Sequence, residues 1–404
     1  MASIAHLTGT IKHYDWGGRS FIPALLNLSS IPEKPFAEYW LGVHPQADCR
    51  IQWPDGSTGL LNEYLLQDAP ARLGTAVYNQ FGHLPYLLKA LDVKDMLSIQ
   101  VHPSKEAAKA DFAAENAKGI PLDAPHRNYK DENHKPELMV AMGPFWLLHG
   151  FRAEESLRQV LLEKASLQFL LPVFEQGGYE LLYKTVMEMP QEEVNRHLHP
   201  LLEEIIPLYQ AERLDKMHPD FWAARAAITF NGPGRVDRGI FSVYLFNLVY
   251  MEKGQAIFQD AGMPHAYLEG QNIEIMASSD NVLRGGLTTK YIDVPELLKH
   301  VRCEPTHPRI LTGEMNAGLR VYKTPAPDFE LAAIELAAGQ SVQHQASGAE
   351  IYLLTTGTVK IEQDDKALTL EAGQPAALQL PGNAATITAI SDCLVFKAAV
   401  PDAH

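Results

Sequence analysis

The sequence predicts a mainly β protein with an α-helical insert and a second, jelly-roll-like β domain at its C-terminal end. Three observations predict it. Residues up to about 150 fall into short strand-like runs, broken by proline or glycine roughly every ten residues. From Glu154 the apolar residues change to a helical period, and after Arg225 strand character returns.

The elements follow in order. Glu38 to Val43 and Leu97 to His102 read as early strands. Leu157, Val160 and Leu161 stand at i, i+3 and i+4, and Val194, Leu198, Leu201, Leu202 and Ile205 trace a second helical stripe. Met189-Pro190-Gln191-Glu192-Glu193 reads as a helix start, with its proline early and its acids in the first turn, and Gly177-Gly178 separates two helices. Ile240 to Tyr250 reads as a strand, and Val294 to Val301 as a short helix begun by Pro295. Beyond a joint marked by Pro305, Pro308, Pro325 and Pro327, Val359 and Ile361 alternate up to a turn at Gln363-Asp364-Asp365-Lys366. Leu368 and Leu370 answer them, which makes a hairpin of a small β-sandwich or jelly roll. The expected division is discontinuous: residues 1–152 and 226–318 form one β unit, 153–225 a helical insert, and 319–404 a terminal β domain.

Composition narrows the function. The 404 residues carry 34 basic and 49 acidic side chains, a formal charge of −15. Nucleic-acid affinity rests on neutralising phosphates with basic side chains, so a polynucleotide partner is not expected, although a local basic pocket can hold one small phosphate. No apolar run reaches the roughly 18 residues that would span a bilayer, and no membrane partner is expected. The start Met1-Ala2-Ser3-Ile4-Ala5-His6-Leu7 lacks the basic, then long apolar, pattern of a secretion signal. Cys49, Cys303 and Cys393 are odd in number and far apart, which suits a reducing, cytoplasmic setting. The chain is expected to be a monomer.

Four side chains suggest a divalent metal. Gln100 and His102 stand two apart in a strand-like run and so project to one face. Glu137 lies in Asn133-His134-Lys135-Pro136-Glu137 and His265 in Gly262-Met263-Pro264-His265-Ala266-Tyr267. Two imidazoles, one carboxylate and one amide oxygen suit Zn²⁺, with Fe²⁺ or Mn²⁺ as alternatives. Only one ligand is anionic, so the ion would stay a net cation and a Lewis acid. Against this, 16 histidines produce Gln-x-His pairs by chance, and a lone strand histidine is usually structural. The second half adds weight. Gly254 followed by Ala261-Gly262-Met263-Pro264-His265 resembles the second motif of cupins, and Gln100-Val101-His102 stands where the first cupin motif has His-x-His.

Further motifs make the resemblance specific. Tyr14-Asp15-Trp16-Gly17, Leu97 to Pro103, Asn128-Tyr129-Lys130-Asp131 with His134-Lys135-Pro136-Glu137, Pro264 to Leu268, and Ser279 to Thr288 occur in this order. With Lys290 to Leu297 they resemble type I mannose-6-phosphate isomerase over nearly the whole chain, least in the helical segment and the C-terminal domain. The resemblance implies a cupin-type jelly-roll catalytic domain with one Zn²⁺. It implies interconversion of mannose 6-phosphate and fructose 6-phosphate, which feeds mannose use and GDP-mannose precursor synthesis. The family's zinc ligands fall on Gln100, His102, Glu137 and His265, and its active-site arginine on Arg284. One departure is Gly285-Gly286 after that arginine, where many relatives have alanine first. The terminal domain offers only His344 and Pro381-Gly382-Asn383 where a second cupin would place ligands, so it is expected to bind no metal.

An aldose–ketose isomerase working through an enediolate needs a base for the C2 proton and cations for charge on O1 and O2. Arg284 and the metal are the cations. Lys135 and Glu274 are the two candidates for proton transfer. His134 is placed near the sugar for ring opening, or behind the metal. Ser98 and Lys290 match positions that the family associates with phosphate, Lys89 is a third candidate, and Trp16 can stack on a sugar face. Two other readings remain at this point: an iron-dependent cupin oxygenase, and a non-catalytic sugar-phosphate-binding cupin.

Overall fold

The computed structural model describes residues 3–28 and 33–402; Met1 and Ala2, at the start of the stretch read for a leader, lie outside them. Among the described residues the strands form a ten-stranded, a nine-stranded and a four-stranded sheet, and no helix is long and apolar enough to cross a membrane.

The ten-stranded sheet turns on one long strand, His265–Ala277, which pairs with Tyr86–Val93, Ile99–Val101, Glu137–Ala141 and Phe145–Phe151. Four partners are possible because the strand bends where its register shifts between Tyr267 and Glu269. Gly270 follows with φ +132°, and a Cβ there would lie 2.5 Å from the Phe145 ring, so only glycine fits.

Period-two alternation sorts the side chains onto three surfaces. Leu88, Ala90, Ile273 and Ile275 face outward and pack on Ile351, Leu353, Leu378 and Phe396 of the nine-stranded sheet. Ile99, Val101, Leu148 and Phe151 face the helices, where they meet Leu157, Leu161, Leu198 and Trp222. The inner face gathers Leu91, Met139, Ala141, Phe145 and Tyr267. Each large side chain so buried contributes about 1.5–3 kcal/mol. Residues that alternate with the outward-facing ones are thereby fixed inward, and these build the site.

The helices Glu154–Glu163, Leu171–Glu188, Gln191–Gln210 and Pro219–Phe230 fill the predicted helical stretch, and the last overruns its expected end at Arg225. Gly177 and Gly178 leave helical geometry, at φ −143° and +61°. The stripe Val194, Leu198, Leu201, Leu202 and Ile205 is buried.

Three expectations need amendment. Ile240 to Tyr250 is not one strand: Gly239–Leu245 is a helix, and only Phe246–Met251 is extended. Ile240 to Leu245 are buried on every side, so periodicity could not separate helix from strand. Asp237 decides locally, since its Oδ1 accepts from the amides of Gly239 and Leu287, both at 2.8 Å. The early region, read as strand-rich, also holds the helix Lys105–Ala117, whose N-cap Ser104 accepts from the Ala107 amide at 3.2 Å. Finally, the nine-stranded sheet runs past residue 318 into the start of the chain. Ile4–Thr8 lies between Ala376–Gln379 and Arg50–Gln52, with Ile4 opposite Gln379.

Candidate active site

Gln100 sits in register between His265 on one side and Arg284 on the other. Residues directly opposed across antiparallel strands share a face, so the three side chains leave the sheet together. Glu137 begins the neighbouring strand and lies 4% exposed, His265 3% and His102 0%. His102 Nε2 is 3.4 Å from Glu137 Oε1, and His265 Nε2 is 3.2 Å from Glu137 Oε2.

Each imidazole is held from behind. Nδ1 of His102 lies 2.8 Å from the Asn281 carbonyl oxygen, and Nδ1 of His265 lies 3.0 Å from that of Met263. A proton on Nδ1 donates to these carbonyls and leaves Nε2 as a lone-pair donor aimed inward. His102 Nε2 is buried and makes no hydrogen bond. Burial lowers the His102 pKa to about 4, which keeps the ring neutral. Burial opposes ionisation of Glu137, but Lys135, 3.0 Å away, and the two imidazoles hold its carboxyl well below the usual range. A cation fits this group. Nitrogen and oxygen ligands about 2.0–2.1 Å from a tetrahedral zinc sit roughly 3.3 Å apart, as the two imidazole–carboxylate separations here do.

Lys89 and Glu274 share the same cleft with Gln100 and Lys135. Glu274 is 3% exposed; Lys89 Nζ is 3.2 Å from its Oε1, and the Tyr267 hydroxyl donates to its Oε2 at 2.8 Å. Burial raises the Glu274 pKa, with Lys89 opposing. Lys89, expected on the phosphate, is therefore paired with a carboxylate and buried. Arg284 and Lys290 have no acidic partner among the described residues. Burial lowers the pKa of both, and the Arg284 charge lowers that of Lys290 further. Ser98 is half-buried just before the strand Ile99–Val101. Trp16, also half-buried, stacks on Tyr14 at 5.8 Å and packs against the inner core. His134 Nε2 lies 2.8 Å from Asp328, a residue of the terminal region.

Several residues of the site were not singled out in the sequence. Tyr267 was readable, being two residues after His265 on a strand. Glu38 also lines the cleft, a carboxylate in an otherwise apolar strand. Asp280 pairs with His44 at 3.2 Å; burial works against its ionisation, but His44 holds its pKa below the usual value. Next to it, the Asn281 amide donates to the carbonyls of Asp131 at 2.8 Å and Asn133 at 2.9 Å, tying the loop that carries Lys135 to the strand that carries Arg284.

A buried His/Glu/His group beside a cleft that gathers lysines and a second, buried glutamate defines a metal-assisted enzyme for a small polar substrate. The comparisons with known proteins agree. Residues 4–154 match the model for the phosphomannose isomerase type I catalytic domain. The mannose-6-phosphate isomerase of Salmonella typhimurium is 36% identical over 92% of this chain and 93% of its own, and that of Homo sapiens 30% identical over 97% of each. The crystal structure of the Salmonella typhimurium enzyme bound to fructose 6-phosphate and zinc covers 99% of this chain and 100% of its own, with a TM-score of 0.88 at 32% identity. A mannose 6-phosphate isomerase bound with zinc and yttrium also has a TM-score of 0.88. This chain belongs to the mannose-6-phosphate isomerase family.

Proposed function

We propose that the chain is a zinc-dependent aldose–ketose isomerase that interconverts mannose 6-phosphate and fructose 6-phosphate through an enediolate, on a cupin-type jelly roll. The observation that carries this reading is the buried Glu274 carboxylate, set in one cleft with Glu137 and His265 of the His102–Glu137–His265 group. The Salmonella typhimurium relative, bound to fructose 6-phosphate and zinc, supports the choice of ion and sugar.

Gln100, His102, Glu137 and His265 would hold the ion. Bound there, zinc would supply Lewis acidity to the open-chain sugar. Glu274 takes the proton from C2 and returns it to C1. Its raised pKa suits a base working near neutral pH, and Lys89 and Tyr267 fix its two oxygens. Lys135 moves the matching proton from O2 to O1. Arg284 stabilises the enediolate charge. Lys290 and Ser98 hold the phosphate, and Trp16 borders the sugar. His134, tied to Asp328, makes no sugar contact in this reading.

The test is a coupled assay for fructose 6-phosphate formed from mannose 6-phosphate, before and after chelation and after zinc is returned. Turnover lost to chelator and restored by zinc is the expected result. Sugar-phosphate binding without turnover would leave a binding protein, and oxygen consumption with iron would leave an oxygenase.

A further inference from the structure

A buried carboxamide beside the site lacks a well-formed hydrogen bond. Gln259 ends the strand Ala256–Gln259, is 0% exposed, and has no hydrogen-bond partner at Oε1 or Nε2. It stands directly opposite Glu137 in antiparallel register, so the two side chains share a face. On that face its amide reaches toward the Tyr267 hydroxyl, although the contact falls short of good hydrogen-bond geometry. Burial and the Glu274 charge raise that phenol's pKa, and the amide lowers it against them. A phenol has one proton to give and lone pairs that accept. The Tyr267 proton goes to Glu274, so its oxygen can only accept, and Gln259 Nε2–H is the donor at hand. Packing does not call for an amide here. An unpaired buried amide destabilises the fold, where leucine or methionine of similar volume would not. A local rule broken at a site is where function is expected to be found.

We propose that Gln259 is a positioning residue of the isomerase: its amide donates to the Tyr267 oxygen in the substrate complex, and thereby aligns the Tyr267–Glu274 hydrogen bond for proton transfer at C2. Apo hydrogen bonds at such sites are commonly long and close only with substrate bound. The inference rests on the isomerase reading and on Glu274 as its base.

The experiment uses the full, zinc-loaded chain as wild type, Gln259→Met, Tyr267→Phe and the double variant. Zinc content, melting temperature, KM and kcat for mannose 6-phosphate are measured for each. Gln259→Met is expected to keep its zinc, a KM within about twofold of wild type and an equal or higher melting temperature, while kcat falls about five- to tenfold. In the Tyr267→Phe background the same change should cost nothing further, because the residue acts through the hydroxyl. Gln259→Leu repeats the series, so that one misfolded variant does not decide it. Equal losses in both backgrounds, an unchanged kcat, or a lower melting temperature with lost zinc would each overturn the proposal with the isomerase reading intact. An inactive zinc-loaded wild type would overturn that reading, and this inference with it.

Discussion

At the scale of single residues, metal retention and chemistry are separable. Removing either imidazole leaves the Glu137 carboxylate with one imidazole partner. His102→Ala and His265→Ala should therefore lose zinc and turnover together, read by metal analysis beside the assay; full zinc in both would refute the ligand set. Arg284 and Lys290 should divide differently. In the proposed mechanism the enediolate charge exists only along the reaction path, whereas the phosphate is charged throughout. Arg284→Ala should keep its zinc and lose kcat by about 3 kcal/mol, roughly a hundredfold, by analogy with removing one donor to a developing oxyanion. Lys290→Ala should act mainly on KM. An Arg284→Ala enzyme with near-normal kcat and weak binding would exchange the two roles. At this scale much of the site was legible, because period two alone puts Gln100 and His102 on one face and extends from His265 to Tyr267. Gln259 was not legible. Its meaning lies in standing opposite Glu137, and only the strand register reveals that. The His134 pairing with Asp328 was hidden likewise, since its partner is remote in sequence.

At the scale of elements, the strand carrying Arg284 is held by unusually close packing. A Cβ at Gly285 would lie 2.7 Å from the Tyr183 hydroxyl of the helical layer and 3.0 Å from Ile99 Cγ2. The Tyr183 hydroxyl itself reaches only toward Ser242, without a well-formed hydrogen bond. Gly285→Ala should cost about 1–3 kcal/mol here through overpacking. Adding Tyr183→Phe should recover most of that loss; thermal melts of the two single variants and the double variant check it, and a double variant no better than Gly285→Ala would refute it. The same layer shows what sequence periodicity can read. The stripe from Val194 to Ile205 is legible because one face is wet and the other dry. Ile240 to Leu245 carries no such contrast, because it is buried all round. We propose that residues 153–225 are an insert whose role is to cover the back of the strand Ile99–Val101, and that residues 319–404 do the same for the strand Tyr86–Val93.

For the molecule as a whole, the buried histidines set a pH dependence. Burial holds His102 and His149 each near a pKa of about 4, below the unfolded value of 6.5. Between those values the unfolded chain binds protons that the folded chain refuses, so stability falls as pH falls. Each group contributes up to about 1.4 kcal/mol per pH unit across that window. Chelator-treated protein should therefore unfold in markedly less urea at pH 5 than at pH 7, and His149→Asn should flatten part of the difference. Equal midpoints at both pH values would refute it.

The pairing of Ile4–Thr8 with Ala376–Gln379 carries a consequence for how the molecule is made. A ribosome releases the first strand nearly a whole chain length before its partner. Until then one edge of that strand stays open, and Leu88, Ala90, Ile273 and Ile275 lack the surface that later covers them. Contacts this distant in sequence close slowly and leave partly built sheets open to association with other chains. The catalytic face could be fully assembled by then and still rest on an unfinished back, so completion of the last strands, rather than of the site, sets when the enzyme becomes durable.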